Sequence, residues 1–163
     1  MHNHAPDTYR CPFCRFARGE ATPRNAPEDI VCADDALIAF ISPRTWPHNA
    51  GNVLIVPRAH VENLYDTPED LLGRVIVTAK RIAIAMKTAY GCDGTSLRQH
   101  NEPAGDQDVW HFHLHVFPRW AGDQLYQRTD DAREVGAEER RMYAERLRAI
   151  LAKSEPGWAA PDG

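Results

Sequence analysis

The chain has 163 residues, a formal net charge of -4, 43% hydrophobic residues and 26% charged residues. This length fits one domain with one core, and the composition is ordinary for a soluble globular protein. Because the lysines and arginines are scattered among carboxylates, the charge argues against a nucleic acid polymer or an anionic membrane as a partner. No apolar run approaches the roughly 20 residues that cross a bilayer, and the first residues form no basic leader, so we expect a cytoplasmic protein.

One domain is expected over residues 11–153, since no linker or internal repeat interrupts that stretch. Residues 1–10 have neither a helical nor a strand period, which predicts a flexible lead-in. Residues 154–163 are expected to form a C-terminal tail.

The first part of the domain has the pattern of antiparallel strands. Two β-type runs, residues 29–32 and 36–41, flank a polar turn at Asp34-Asp35 and predict a hairpin. A proline-containing loop then leads to the apolar run of residues 53–56, which is short enough for a buried strand.

A long helix is predicted next. Thr67 offers an N-cap hydroxyl and Pro68 suits the first helical position. Apolar residues recur at steps of three and four from Leu71 to Met86, and Gly91 stands where a left-handed C-terminal cap belongs. The helix therefore packs one stripe on the sheet.

The remaining pattern predicts two strands, residues 95–100 and 110–117, and a helix over residues 137–153. The second of these strands carries His111, His113 and His115. Because successive strand side chains point to opposite faces, the three imidazoles share one face, and apolar residues share the other. The alternative is a half-exposed strand with hydrated histidines.

Imidazole chemistry suits attack on phosphorus. With a reference pKa of about 6.5, imidazole is mostly neutral near pH 7 and needs no special activation as a nitrogen nucleophile. Attack forms a phosphoramidate, which divides one difficult displacement into two easier ones. Such a step also needs donors that hold the phosphoryl oxygens.

A polar turn before the histidines offers such donors. Its amides are Gln99, Asn101 and Gln107, and Gly105 lets backbone N–H groups approach an anion. The turn next to the histidines predicts a phosphate cradle; the alternative is an ordinary strand connection.

Cysteine spacing indicates a metal site. Cys11 and Cys14 are separated by two residues, which lets both thiolates reach one tetrahedral ion. Redox pairs use the same spacing, but the strand and βαβ unit expected around them are missing. Two histidines would complete a closed site. Cys32 and Cys92 lie beside apolar segments and are expected in the core.

Together these motifs resemble the histidine-triad (HIT) superfamily. Residues 111–117 match its His-x-His-x-His strand, and residues 52–60 resemble its strand ending in Pro-x-x-His. The resemblance extends from Cys11 to about Trp120. It implies an α+β HIT-like fold: a central antiparallel sheet of about five strands with helices packed on it, continuous across a homodimer.

The resemblance also implies a reaction, namely hydrolysis or transfer at the α-phosphate of a nucleotide conjugate through a nucleotidyl-histidine intermediate. By motif position His113 is the nucleophile and His115 assists it. The conjugate would be a nucleoside phosphoramidate, an acyl-adenylate or a dinucleoside polyphosphate. The substrate-contacting positions implied are Gln99, Asn101, Gly105, Gln107, Asp108, Phe40, Ile41 and Asn52, with Phe40 and Ile41 near the nucleobase.

In zinc-bearing members the matching ligands are Cys11, Cys14, His60 and His111. Two thiolates and two imidazoles fill a tetrahedron, so the resemblance implies a structural Zn²⁺ that pins the N-terminus to the active-site strand.

The sequence departs from the HIT pattern at three places that would affect nucleotide recognition. Asn52 stands where many members carry another histidine, and the sequence leaves open whether His48 substitutes for it. Ser42 follows the predicted strand without the aspartate that commonly holds the ribose. Asp106 is inserted in the turn, and Asp108 replaces a hydroxyl residue.

Two other functions stay open. One is a zinc-stabilised nucleotide-binding or interaction protein with little or no turnover. The other is a zinc hydrolase whose ion sits on His113 and His115 with an open coordination position, although no carboxylate is evidently placed as a general base.

Overall fold

The computed structural model describes residues 2–20 and 22–154. Its helices are α1 (Pro12–Ala17), α2 (Glu69–Tyr90) and α3 (Ala137–Ser154), and its strands are β1 (Ile30–Ala33), β2 (Leu37–Ile41), β3 (Arg44–Thr45), β4 (Val53–Pro57), β5 (Gly94–Arg98), β6 (Leu114–Arg119) and β7 (Arg133–Glu134). Residues 155–163, which make up most of the predicted tail, lie outside the described residues. Among the helices described, none combines the length and apolarity needed to cross a bilayer.

Five strands form an antiparallel sheet in the order β1-β2-β4-β6-β5. The predicted hairpin is present as β1 and β2, joined by the turn at Asp34. Strands β2 and β4 are buried along their whole length, as continuous apolar runs covered on both faces should be. The α+β fold with a central antiparallel sheet is therefore confirmed.

The two faces of the sheet carry different cores. Ile41, Ile55 and Phe112 belong to the larger core, which packs against α2 and α3. Phe40 and Leu54 belong to a smaller core on the other face, beneath α1. Since α1 is only six residues long, it covers part of that face and leaves room beside it.

Helix α2 starts one residue later than the cap pattern predicts. Thr67 does not cap it, because its hydroxyl donates to the Asn63 carbonyl at 2.7 Å, within the preceding turn. Pro68 takes the N-cap position instead, and helical residues begin at Glu69. At the other end Gly91 has φ 67°, the left-handed cap that its position predicts.

The histidine strand β6 begins at Leu114, not at residue 110. Pairing with β4 starts at Leu114 opposite Ile55, and Pro57, further along β4, has no N–H to donate. The Phe112 N–H bonds instead to the Val61 carbonyl in a loop. The backbone stays extended enough that Phe112 still points into the larger core.

The predicted lead-in makes defined contacts with the loop after β4. The backbone N–H groups of His4 and Ala5 both donate to the Glu62 carboxylate. The His4 imidazole lies 3.0 Å from Glu102, in the turn before the histidines.

Gly51, just before β4, is expected to tolerate no side chain. Its φ is +85°, and an added Cβ would lie 2.7 Å from Tyr143 and 2.9 Å from Tyr90. Gly51→Ala should therefore lower the free energy of unfolding by about 2 to 4 kcal/mol in denaturant titrations. Gly73→Ala is the control: in α2 an added Cβ meets nothing within 4 Å, so it should raise that free energy by about 0.5 to 1 kcal/mol. Equal effects would contradict this account.

Candidate functional site

A cavity of about 430 Å³ opens beside α1 on the face of the smaller core. This volume lies within the range of roughly 300 to 1,000 Å³ typical of small-molecule sites. Phe13, Phe16 and Leu54 form an apolar part of its wall, and His113 and His115 line it too. The cavity therefore joins an apolar surface to the histidines.

His113 is only 3% exposed and is held in one tautomer. Its Nδ1 lies 2.8 Å from the His111 carbonyl oxygen, which can only accept, so Nδ1 carries the proton and Nε2 keeps its lone pair. Burial lowers the pKa of His113 below its usual value. Around neutral pH the residue is thus an oriented, neutral nitrogen base.

His115 stands next to His113, with 5.2 Å between the ring centroids. Its ring stacks on Phe117, and burial lowers its pKa well below the usual value. Its Nδ1 is buried and has no hydrogen-bond partner within the described chain. Two neutral imidazoles therefore line the cavity side by side.

The predicted amide donors of the turn are already hydrogen-bonded within the protein. Gln99 and Asn101 exchange side-chain hydrogen bonds of 3.0 and 2.7 Å. Gln107 accepts from the Glu102 N–H and donates to the Glu62 carbonyl, at 2.8 and 2.6 Å. In this conformation the three amides therefore shape the turn.

Backbone donors of the turn are also used internally. The N–H groups of Gly105, Asp106 and Gln107 bond to carbonyls of Glu102 and Pro103. Asp106 has φ 63°, so it adopts the left-handed conformation. The Gly105 carbonyl accepts from Nδ1 of His100 at 2.6 Å. The turn is therefore closed by its own hydrogen bonds, and one of them orients the His100 ring, which lines the cavity.

Asp108 lies at the cavity mouth with an exposed side chain. Its carboxylate faces Arg44 at 3.8 Å. Ser42, where the ribose aspartate is missing, bonds to the Arg44 backbone at 2.8 and 3.2 Å. Asn52 is buried with neither amide atom bonded in the described chain. His48 is exposed and contacts Arg128 instead of the cavity.

Phe40 and Ile41 are both fully buried and do not line the cavity. Phe40 packs behind its wall, with ring centroids 5.8 Å from Phe13 and 4.8 Å from Phe16. Ile41, one residue later on the strand, points into the larger core on the opposite face. The apolar surface open to a ligand therefore includes Phe13 and Phe16 of α1 and Leu54 of β4, but not Phe40 or Ile41.

Several lining residues carry no motif and were not predicted: Arg24, Arg44, Trp46, Arg98, His100 and Asp130. Arg98 had one available signal. It pairs with His115 across two strands that the sequence does predict, so it shares the face of the histidines. For the others, which come from loops and the short strand β3, we find no comparable signal.

Cys11, Cys14, His60 and His111 meet in one cluster. Nδ1 of His111 lies 3.2 Å from Sγ of Cys11 and 3.5 Å from Sγ of Cys14. Nδ1 of His60 lies 3.2 Å from both Sγ of Cys14 and Nδ1 of His111. A tetrahedral ion with bonds of about 2.1 to 2.3 Å needs ligand spacings of about 3.4 to 3.8 Å. The donor atoms are close to that arrangement.

The protonation state of His111 suits metal binding at this cluster. Nε2 of His111 donates to the Pro57 carbonyl at 2.9 Å, which leaves Nδ1 free to coordinate. Burial lowers the pKa of His111 to about 4, so the ring is neutral. Burial also raises the pKa of Cys14 to about 11, and a dication would reverse this by stabilising the thiolate. The donor set fits a closed site for Zn²⁺.

Helix α1 connects the metal cluster to the cavity. Cys11 is its N-cap and accepts a hydrogen bond from the Cys14 N–H. Phe13, between them, contacts the rings of both His111 and His113, with centroids 5.8 and 5.3 Å apart. Within the described residues, no other group of three or more histidine, cysteine or acidic side chains could hold a metal, so His113 and His115 lack a third ligand there.

Comparisons with known proteins agree with this architecture. The HIT domain family matches residues 23–122. An uncharacterized HIT-like protein of Methanocaldococcus jannaschii is 30% identical over 79% of this chain and 94% of its own length. Adenylylsulfatase HINT3 of Arabidopsis thaliana is 30% identical over 71% of this chain and 58% of its own. A zinc-bound histidine triad family protein of Mycobacterium smegmatis superposes with a TM-score of 0.74 at 28% identity, covering 90% of this chain and 96% of that one. The chain belongs to the HIT domain family.

Proposed function

We propose that this protein hydrolyses or transfers the nucleotide of a nucleotide conjugate, acting at the α-phosphate through a nucleotidyl-His113 intermediate. The observation that carries the proposal is the 2.8 Å hydrogen bond from His113 Nδ1 to the His111 carbonyl. It leaves Nε2 as the nucleophilic atom of a neutral ring that lines a cavity.

In the first step Nε2 attacks the α-phosphorus, and the bond from phosphorus to the leaving group breaks. The leaving group takes the electron pair and a proton from water, and neutral His115, the adjacent imidazole, would assist by a hydrogen bond to the phosphate or the leaving group. Water or a second acceptor then attacks phosphorus and displaces His113. The low pKa of buried His113 keeps it unprotonated for the first step.

The nucleotide would lie with its base against Phe13, Phe16 and Leu54 and its phosphate toward the histidines. Phe40 would support these residues by packing behind them, without contact to the base. The turn containing Gly105, Gln107 and Asp108 would border the phosphate, with Gln99 and Asn101 bracing it. Asn52 would accept or donate a hydrogen bond near His115, since its amide is buried and unpartnered in the described chain.

The cluster of Cys11, Cys14, His60 and His111 would hold a structural Zn²⁺. The ion supplies a crosslink between α1 and the loop before β6. Its donor set of two thiolates and two imidazoles leaves no position for water, so the phosphoryl chemistry is assigned to His113.

We also propose a homodimer with one continuous sheet. Strand β5 is at the edge of the sheet, and Leu97 on it is 44% exposed, as an edge available for pairing would be. Sedimentation velocity should give a mass near twice the chain mass of 18.4 kDa. A monomeric mass at micromolar concentration would contradict the dimer.

Substrate class is tested by incubating the protein with an adenosine phosphoramidate, adenylylsulfate and a diadenosine polyphosphate. We expect at least one of them to yield AMP. Brief exposure to a chelator should not change the rate as long as the protein remains folded. A rate that falls with chelator and returns with added zinc, in protein whose melting temperature and AMP binding stay unchanged, would favour a catalytic ion. AMP binding without any turnover would favour the non-catalytic alternative, for which the internally bonded turn is the supporting observation.

A further inference from the structure

Arg98 is a cationic residue of the cavity that no motif marks. It is the last residue of β5 and pairs in register with His115 on β6. Its side chain lines the same cavity as His113 and His115. The guanidinium thus belongs to the same row of side chains as the second imidazole.

Two aromatic rings hold the Arg98 guanidinium. Its central carbon lies 4.9 Å from the centroid of Trp46 and 4.8 Å from that of Phe117. His115 stacks on the same Phe117 ring. A guanidinium packed on aromatic rings loses little further freedom when a ligand arrives, because its plane is already oriented.

Arg98 forms no ion pair in the described chain. Its Nε is buried without a hydrogen bond, and no carboxylate of the described residues lies within ion-pairing distance. Arg44 and Arg119, by contrast, are paired with Asp108 and Asp123. Asp106 and Asp108 act on the half-buried guanidinium only from beyond ion-pairing distance, so an anion that enters this cavity gains its attraction without breaking an existing pair.

The polar turn before the histidines does not offer free donors for a bound anion. Its predicted amide donors bond within the turn or to the loop after β4, and Asp106 and Asp108 bring negative charge to the mouth. Arg24 and Arg44 also line the cavity, but each is ion-paired, with Glu134 and Asp108. Arg98 is therefore the lining arginine without an ion pair in the described chain.

We propose that Arg98 binds a second phosphate attached to the α-phosphate and so favours conjugates whose leaving group is a phosphate over those whose leaving group is an amine. This deepens the proposed function and rests on it. With the α-phosphate at His113, whose ring is 5.2 Å from that of His115, the next phosphate falls toward the row that His115 shares with Arg98. A neutral amine leaving group would gain nothing from that charge.

The test measures calorimetric dissociation constants of AMP, ADP and inorganic pyrophosphate in a His113→Asn background, which prevents turnover. ADP should bind more tightly than AMP. Arg98→Met, which keeps an unbranched apolar stem over the rings, should weaken ADP and pyrophosphate about 10- to 100-fold and AMP by less than about 3-fold. Arg141→Gln removes the same charge from an exposed site on α3 and should change none of the three.

Equal weakening of AMP and ADP by Arg98→Met, or no weakening of either, overturns the proposal. If Arg98→Met does not fold, as judged by circular dichroism and thermal melting, Arg98→Gln is measured against the same criteria. If the His113→Asn protein binds neither AMP nor ADP, the proposed nucleotide function fails. Pyrophosphate binding then tests the anion site at Arg98 on its own. A loss specific to the Arg98 variant supports the anion site, and equal pyrophosphate binding in all variants overturns it.

Discussion

His113→Ala is expected to reduce turnover of the nucleotide conjugate by about 10⁴-fold or more, because it removes the nitrogen that attacks phosphorus. It should also abolish protein-bound label when the wild type is quenched during turnover of α-labelled substrate. A phosphoramidate bond is labile in acid and stable in base, so the wild-type label should show that pattern. His115→Ala should be milder, about 10²-fold, because it removes a hydrogen bond to the phosphate or the leaving group that water can replace in part.

A matched variant separates chemistry from folding. Alanine removes a buried ring and leaves the His111 carbonyl without its 2.8 Å donor, at a cost of about 1 to 3 kcal/mol. In His113→Asn the amide can donate to that carbonyl but has no nucleophilic nitrogen. The asparagine variant should melt near the wild type and bind AMP while remaining inactive. Turnover within 10-fold of wild type in either variant would exclude His113 as the nucleophile.

Cys11→Ser is expected to lose bound zinc and to lower Tm by about 10 °C or more, since the loss of even ~4 kcal/mol of metal stabilisation shifts Tm by about that amount in a chain of this size. The cluster ties α1 to the loops that carry His60 and His111. Phe13 sits between the two cysteines and contacts His113. AMP binding should therefore weaken as stability falls, although none of the four metal-binding residues would contact the substrate.

Elemental analysis and thermal melting measure both effects. Cys92→Ala is the control: Cys92 is a buried core cysteine outside the cluster, and this variant should keep stoichiometric zinc while Tm falls by a few degrees. Wild-type protein treated with a strong chelator should melt like Cys11→Ser. Stoichiometric zinc in Cys11→Ser, or an unchanged Tm after the metal is removed, would refute the structural site.

Local patterns were sufficient for much of the fold. Alternation placed His111, His113 and His115 on one face, and the segment keeps that alternation even where it leaves the ladder before Leu114. Helix periodicity and Gly91 located α2 to within a few residues. Such features depend on neighbours a few residues apart, so the sequence carries them directly. The short helix α1 was missed because six residues hold too little periodicity.

The amino-acid sequence by itself determined the family motif, and through that resemblance it indicated the nucleophile candidate and the four residues that meet in the cluster. Only the tertiary structure decided which polar groups remain free for a ligand. Gln99, Asn101 and Gln107 look like donors in the sequence, yet each bonds within the turn or to an adjacent loop. Arg98 belongs to no motif, yet two aromatic rings hold it in the cavity without an ion pair in the described chain. The physical reason is that a hydrogen-bonding group is free or satisfied according to which distant segments packing brings against it, and residue spacing does not encode that.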